Sequence, residues 1–181
     1  WRQFVKSKVI SAVLFIASLY VGGASAQSGG PRMPFVDKGA CPFECCSYRE
    51  WTVEKPTVVR TAMRDGSPIA FRLKNGEKVS GVTGTVITTR AGIVRVLKNT
   101  TLDNVKLRRG DNLYLLTYLG EGFSKIWYKG RIFQGDPYDQ TLYKQIRLPI
   151  DVWWVKVKNR RGQTGWSRQP DNFGNKDRCG K

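Results

Sequence analysis

Short apolar and alternating runs follow one another along the chain from residue 57 onward. The clearest alternation covers residues 152–158, where every second side chain falls on the same face of a strand. The face that we expect to pack into a core carries Trp153, Val155 and Val157. Turn sequences such as Asn75-Gly76 and residues 159–162 separate the runs, and no helical periodicity is seen beyond residue 26. The pattern therefore predicts an all-β protein of short strands, typical of a small barrel or sandwich.

The first 26 residues have a different pattern, which is that of a secretory signal peptide. Arg2, Lys6 and Lys8 precede an apolar run at residues 9–21, and Ala24-Ser25-Ala26 supplies the small residues of a cleavage site. The apolar run is shorter than the ~20 residues of a spanning helix, so an uncleaved anchor is the less favoured interpretation. We therefore expect an exported protein, periplasmic or secreted, without a transmembrane span after cleavage.

Four cysteines lie near the two ends of the exported part, and an oxidising compartment favours disulfides between them. Direct pairing of the neighbours Cys45 and Cys46 would strain the backbone, so we expect one of them to join Cys179 and the other to join Cys41. A four-thiolate zinc site is the competing interpretation, but the usual spacing of two cysteine pairs is absent. We therefore predict no metal and no cofactor.

Residues 71–79 resemble the strand, turn and strand of bacterial SH3-like domains, and residues 153–157 with 162–166 are similar to their closing hairpin. The cysteine motif at residues 41–46, together with residues 117–123 and 170–180, resembles a group of exported bacterial SH3-domain-containing proteins. This resemblance implies an SH3-like small barrel. It also implies a noncatalytic module that targets the cell wall or a protein partner.

The two halves of the SH3-like pattern lie far apart in the chain, with a strand-rich stretch between them. We therefore expect one SH3-like domain with a β insertion, although two successive SH3-like barrels are the alternative. A polar stretch at residues 134–149 contains Gly135, Asp136 and Pro137 and predicts an irregular surface excursion. The expected segments are a signal peptide (1–26), a cysteine-containing segment (27–47), the SH3-like β domain (48–170, with its insertion at about 85–133) and a C-terminal tail (171–181) tied by Cys179.

The charge of the chain is strongly positive. The full sequence carries 31 Lys and Arg against 14 Asp and Glu, and removal of the three cations in the signal peptide leaves a net charge of +14. Such a field attracts polyanions, which for an exported protein are anionic lipid headgroups, wall polymers, lipopolysaccharide or extracellular nucleic acid. Nucleic acid fits the charge but conflicts with export. A solubilising role for the charge is the plain alternative.

The sequence contains no histidine, which excludes a Ser-His-Asp triad, a Cys-His pair and histidine metal sites. A hydrolase would then have to use two carboxylates held across a cleft. The nearest pairs in sequence are Asp136 with Asp139, Glu50 with Glu54, and Asp171 with Asp177. All of them fall in turn or terminal sequences, where acids are usually only solvated. We therefore assign no catalytic residue and keep a small carboxylate-dependent envelope hydrolase as the alternative.

The outward set of the strand at residues 152–158 supplies our candidate ligand surface. Trp154 shares this face with Lys156 and Lys158, and an aromatic side chain beside ammonium groups suits an anionic or carbohydrate ligand. Tyr128 is a candidate neighbour. We therefore expect a noncatalytic exported binding module whose ligand is a cell-envelope polymer or another exported protein, with no prediction of its oligomeric state.

Overall fold

The computed structural model describes residue 1 and residues 29–179, so the expected signal peptide lies outside the described residues apart from Trp1. The described chain forms an all-β fold, as the sequence pattern predicted. The strands are β1 (Phe35–Lys38), β2 (Glu50–Val53), β3 (Thr57–Arg60), β4 (Ile69–Leu73), β5 (Lys78–Arg90), β6 (Gly92–Val96), β7 (Thr100–Leu102), β8 (Val105–Leu107), β9 (Asn112–Gly120), β10 (Phe123–Tyr128), β11 (Arg131–Gly135), β12 (Tyr143–Arg147), β13 (Ile150–Lys158), β14 (Thr164–Ser167) and β15 (Phe173–Gly174). A short 3-10 helix, Pro170–Asn172, precedes β15.

The first sheet is curled into a half-barrel and contains strands from both ends of the described chain. Its order is β15-β2-β5-β13-β14-β3-β4, and β1 pairs with β5 as an additional strand. The pairing of β5 with β13 runs from Ile150 opposite Arg90 to Lys158 opposite Ser80. The chain therefore leaves this sheet at the end of β5 and returns to it at β13.

Residues 92–147, between β5 and β13, form a second sheet of order β11-β10-β9-β6-β12 together with the separate β7–β8 hairpin. These bounds differ from the expected insertion at residues 85–133. Residues 85–90 belong to the first sheet because β5 continues for 13 residues without a turn. At the other end, β12 pairs with β6 inside the stretch expected to be irregular. Four of the five side chains of β12 are exposed, so its sequence lacks the alternation of a half-buried strand.

The inner face of the half-barrel holds its core, and the predicted inward face of β13 is confirmed. Val155 and Val157 are fully buried there, and Trp153 packs against the same cluster. The other buried members come from the chain segments before and after the second sheet: Trp51, Val53, Val59, Leu73, Val79 and Phe173. Phe173 of β15 pairs with Val53 of β2 beside this core. The second sheet has its own core, which includes Leu113, Leu115 and Ile126.

The two disulfides join Cys41 to Cys46 and Cys45 to Cys179, which confirms the expected type of pairing and resolves which cysteine reaches Cys179. Since all four sulfurs are used, no thiolate remains for a zinc ion. Backbone bonds reinforce the connection, because Arg178 N donates to Cys45 O at 2.9 Å and Ser47 N donates to Lys176 O at 2.8 Å. The cysteine segment therefore packs against the C-terminal tail, as expected.

The cysteine segment also covers one end of β13. Phe43 meets the ring of Trp153 edge-on at 5.9 Å between centroids, and the hydroxyl of Tyr48 donates to the carbonyl of Ala40. Burial raises the pKa of Tyr48 to about 12. Gly84 lies beneath this contact, and a Cβ there would collide with the Tyr48 hydroxyl and the Trp153 indole nitrogen. This position therefore requires glycine for close packing.

Candidate anion-binding surface

The structure separates the four residues of the predicted ligand surface. Trp154 lies on the outer face of β13 but is only 4% exposed, so its indole does not project into solvent. Lys156 and Lys158 do emerge on the outer face of β13, where Lys156 is half-buried and Lys158 is exposed. Tyr128 belongs to the core of the second sheet, and its hydroxyl donates to Asp111 at 2.7 Å. The structure therefore does not bring Tyr128 to the candidate surface.

The outer face around Lys156 is built by strand register. Lys156 lies opposite Trp166 on β14, and Trp166 lies opposite Arg60 on β3. Residues directly opposite each other in antiparallel strands point to the same face, so these three side chains form one row. The ammonium nitrogen of Lys156 lies 5.8 Å from the centroid of the Trp166 ring. The aromatic partner of the predicted lysine is thus Trp166 and not Trp154.

Trp154 lines a groove of about 410 Å³ that also includes Arg60, at the β3 end of this row. Two arginines lie at the groove: Arg60 donates to the carbonyl of Ser67 at 2.8 Å, and Arg168 forms an ion pair with Asp65. The lining residues are Val58, Arg60, Asp65, Trp154, Arg168 and Gln169. We call this the tryptophan groove.

A larger concavity of about 710 Å³ lies between two turns of the half-barrel, at residues 74–77 and 159–163. Its cationic side chains are Arg72, Lys74, Lys78, Arg160 and Arg161. They face one carboxylate, that of Glu77, together with the polar side chains of Asn75, Asn159 and Gln163. We call this concavity the basic cleft. Its excess of positive charge makes it the strongest candidate anion site among the described residues.

Both turns that form the cleft have a well-defined backbone conformation. Gly76 has φ +83°, a conformation that side chains rarely adopt. In the second turn, the side-chain oxygen of Asn159 accepts the backbone N–H groups of Arg161 and Gln163, each at 3.0 Å. The turn backbone is therefore held without using the guanidinium groups of Arg160 and Arg161, which are exposed.

Lys158 lies at the edge of the basic cleft. It lines a small groove of about 70 Å³ that shares Lys78, Asn159 and Arg160 with the cleft. Glu50 also lines this groove, but its carboxylate is 3.8 Å from the ammonium of Lys78. The structure therefore joins one predicted residue, Lys158, to a group of cations that the sequence had not assigned to a site.

Sequence reasoning missed Arg72, Lys74, Arg160 and Arg161 as site residues. The available signal was the presence of cations in two turn sequences, including the run at residues 156–161. Nothing in either turn shows that the other lies beside it, since the two turns are more than eighty residues apart in the chain. Their proximity follows from the pairing of β5 with β13.

Three of the acids considered for catalysis accept hydrogen bonds from nearby backbone N–H groups and so stabilise local turns. Asp139 accepts the N–H of Thr141 at 2.8 Å, and hydrogen bonds from Thr141 lower the pKa of Asp139. Asp136 accepts the N–H of Tyr138, and Asp177 that of Cys179. Each groove described here, including a tyrosine-lined groove of about 480 Å³ beside β12, is lined by at most one carboxylate.

Two other carboxylates do meet on the surface, outside these grooves. A hydrogen bond between Glu44 and Glu121 raises the pKa of Glu44. Both side chains are exposed, and Glu44 lies close to the Cys45–Cys179 disulfide. Neither residue lines any of the four grooves described above.

Comparison with known proteins finds no matching family model, no similar curated protein and no similar solved structure. Within the described residues, no helix is long and apolar enough to span a membrane.

Proposed function

We propose that the protein is an exported, noncatalytic binding module that holds an anionic cell-envelope polymer at the basic cleft. The observation that carries the proposal is the excess of cations in the cleft, which is lined by five Lys and Arg side chains and one carboxylate, that of Glu77. One of the five, Lys78, also lies 3.8 Å from the carboxylate of Glu50 beside the cleft. Such a site attracts anions at long range and can contact several charged groups at once.

Location and ligand class have separate support. The two disulfides are compatible with an oxidising, extracytoplasmic compartment, and the expected signal peptide supports export. The SH3-like resemblance supports a targeting role. An acidic exported protein is the other ligand predicted from the sequence. We favour a polymer because the cleft is open and its charged side chains, five cations and one carboxylate, outnumber its two large apolar ones, Phe71 and Leu73.

The test is a pair of variants with the same change of net charge. Arg160→Gln/Arg161→Gln removes two cations from the cleft, whereas Lys106→Gln/Arg109→Gln removes two exposed cations from the region of the second sheet. We expect the cleft variant to bind purified bacterial envelopes and long-chain polyphosphate about tenfold more weakly, since each exposed ionic contact contributes up to ~1 kcal/mol. The control should change binding less than twofold.

Equal weakening by both variants would show that net charge alone drives retention and would overturn the proposal. Recovery of an acidic protein from the envelopes, with no binding to polyphosphate, would replace the polymer with a protein ligand. Circular dichroism of both variants checks that the exposed substitutions leave the fold intact.

A further inference from the structure

We infer that the ligand is a linear polyanion that runs from the basic cleft along the outer face of β13 to the tryptophan groove. This inference rests on the proposed function and adds the path and length of the bound segment. The observation behind it is that the cleft and the groove lie at two ends of one row of outward side chains on β13.

Strand geometry sets the length of this path. Lys158 lines the small groove at the edge of the basic cleft, Lys156 follows two residues away, and Trp154 lines the tryptophan groove after two more. A strand advances ~3.3 Å per residue, so the path from Lys158 to Trp154 is about 13 Å long. A compact anion cannot contact both ends, whereas a chain of linked charged groups can.

The lysines along this path are available to a ligand. Among the described residues, neither Lys156 nor Lys158 belongs to an ion pair. Their cross-strand neighbours on β5 and β14 are uncharged: Thr83 and Trp166 beside Lys156, and Ser80 and Thr164 beside Lys158. A bound anion would therefore not have to displace a carboxylate from either lysine.

Trp166 adds a second kind of contact in the middle of the path. Its ring lies beside Lys156 and is partly exposed. An aromatic face next to a cation suits a polymer in which charged groups alternate with a sugar or polyol unit, because the ring can pack against the uncharged C–H surface. At the far end, the guanidinium of Arg60 lines the tryptophan groove, together with that of Arg168, which is paired with Asp65.

The experiment compares a short and a long probe of the same chemistry. Tripolyphosphate is too short to reach from the cleft to Trp154, whereas long-chain polyphosphate can follow the whole path. We expect Lys156→Gln to weaken binding of long-chain polyphosphate by about threefold to fivefold, the effect of one exposed ionic contact, and to leave tripolyphosphate unchanged. Arg160→Gln/Arg161→Gln should weaken binding of both probes. Lys144→Gln, an exposed lysine on β12, is the matched control.

The outcomes separate the two proposals. If Lys156→Gln leaves long-chain binding unchanged while the cleft variant still weakens both probes, the extended path is wrong and the cleft remains. If the cleft variant also has no effect, the proposed function falls with it. Tighter binding of single-stranded DNA than of polyphosphate at equal charge would overturn the ligand class, because Trp166 would then be stacking on bases.

Discussion

Trp154 is buried, but it is not a member of the core cluster inside the half-barrel. Its neighbour Val155 points into the half-barrel, so the indole lies on the outer face, where Val58, Arg168 and Gln169 line the same groove. The indole is only 4% exposed, and the groove that it lines also includes residues distant in sequence, among them Asp65 in the loop between β3 and β4. The parity of a strand determines the face of a side chain, but not what covers that face.

The burial of Trp154 leads to a prediction about stability. Trp154→Ala should lower the free energy of unfolding by about 3 kcal/mol or more, because it removes a large buried side chain and leaves a void. Trp166→Ala removes the same side chain from the partly exposed position opposite Lys156, so it should cost less than half as much. Urea unfolding followed by circular dichroism measures both values. A smaller loss for Trp154→Ala than for Trp166→Ala would show that the indole of Trp154 is dispensable for folding.

At the scale of elements, the two disulfides close loops of very different length. Cys45 and Cys179 are 134 residues apart in the chain, whereas Cys41 and Cys46 are five apart. The long bridge also holds the cysteine segment against the C-terminal tail, where Arg49 donates to the carbonyl of Asn175 at 2.9 Å. We therefore expect the long bridge to contribute more of the stability.

Removal of each bridge by itself tests this difference. In the chain-entropy model, Cys45→Ser/Cys179→Ser should lower the free energy of unfolding by about 5 kcal/mol and Cys41→Ser/Cys46→Ser by about 2 kcal/mol. Unfolding in urea under nonreducing conditions gives the two values, and a peptide map confirms that the remaining bridge is native. Similar losses for both variants would mean that local contacts, and not the closed loop, determine the contribution of the long bridge.

Elements with a half-buried pattern could be predicted from the sequence, and elements without one could not. Alternation placed Val155 and Val157 correctly in the core because one face of β13 is inward. The same reasoning failed for β12, whose side chains are mostly exposed, and for the end of β5, which continues past Thr85 into the expected insertion. Exposed edge strands and long uninterrupted strands carry little local information about where they pair.

At the scale of the whole molecule, the candidate surface was predicted only in part. The sequence identified Lys156 and Lys158 as outward cations, which the structure confirms. It could not show that Arg72 and Arg161 line the same concavity, because that depends on the curl of the half-barrel and on the pairing of distant strands. Sites assembled by long-range topology leave no signature within any one segment.

The two sheets are joined by polar contacts as well as by side-chain packing. Thr88 on β5 donates to the carbonyl of Leu116 on β9, and Asp37 on β1 pairs with Lys125 on β10 at 2.7 Å. Asp37 is nearly buried, and its second carboxylate oxygen has no hydrogen-bond partner among the described residues. The ion pair therefore holds a carboxylate at the junction that would be poorly solvated without Lys125.

The last prediction concerns this junction. Lys125→Met should lower the free energy of unfolding by about 3 kcal/mol, because the Asp37 carboxylate would stay buried without its cation. Asp37→Leu/Lys125→Met removes both charges and should recover more than half of that loss, since the cost lies in the unpaired charge and not in the missing bond. Thermal unfolding of the single and double variants measures the recovery. If the loss of unfolding free energy in the double variant equalled the sum of the losses in Asp37→Leu and Lys125→Met, the two side chains would be energetically independent. The packing of apolar side chains would then be what couples the sheets.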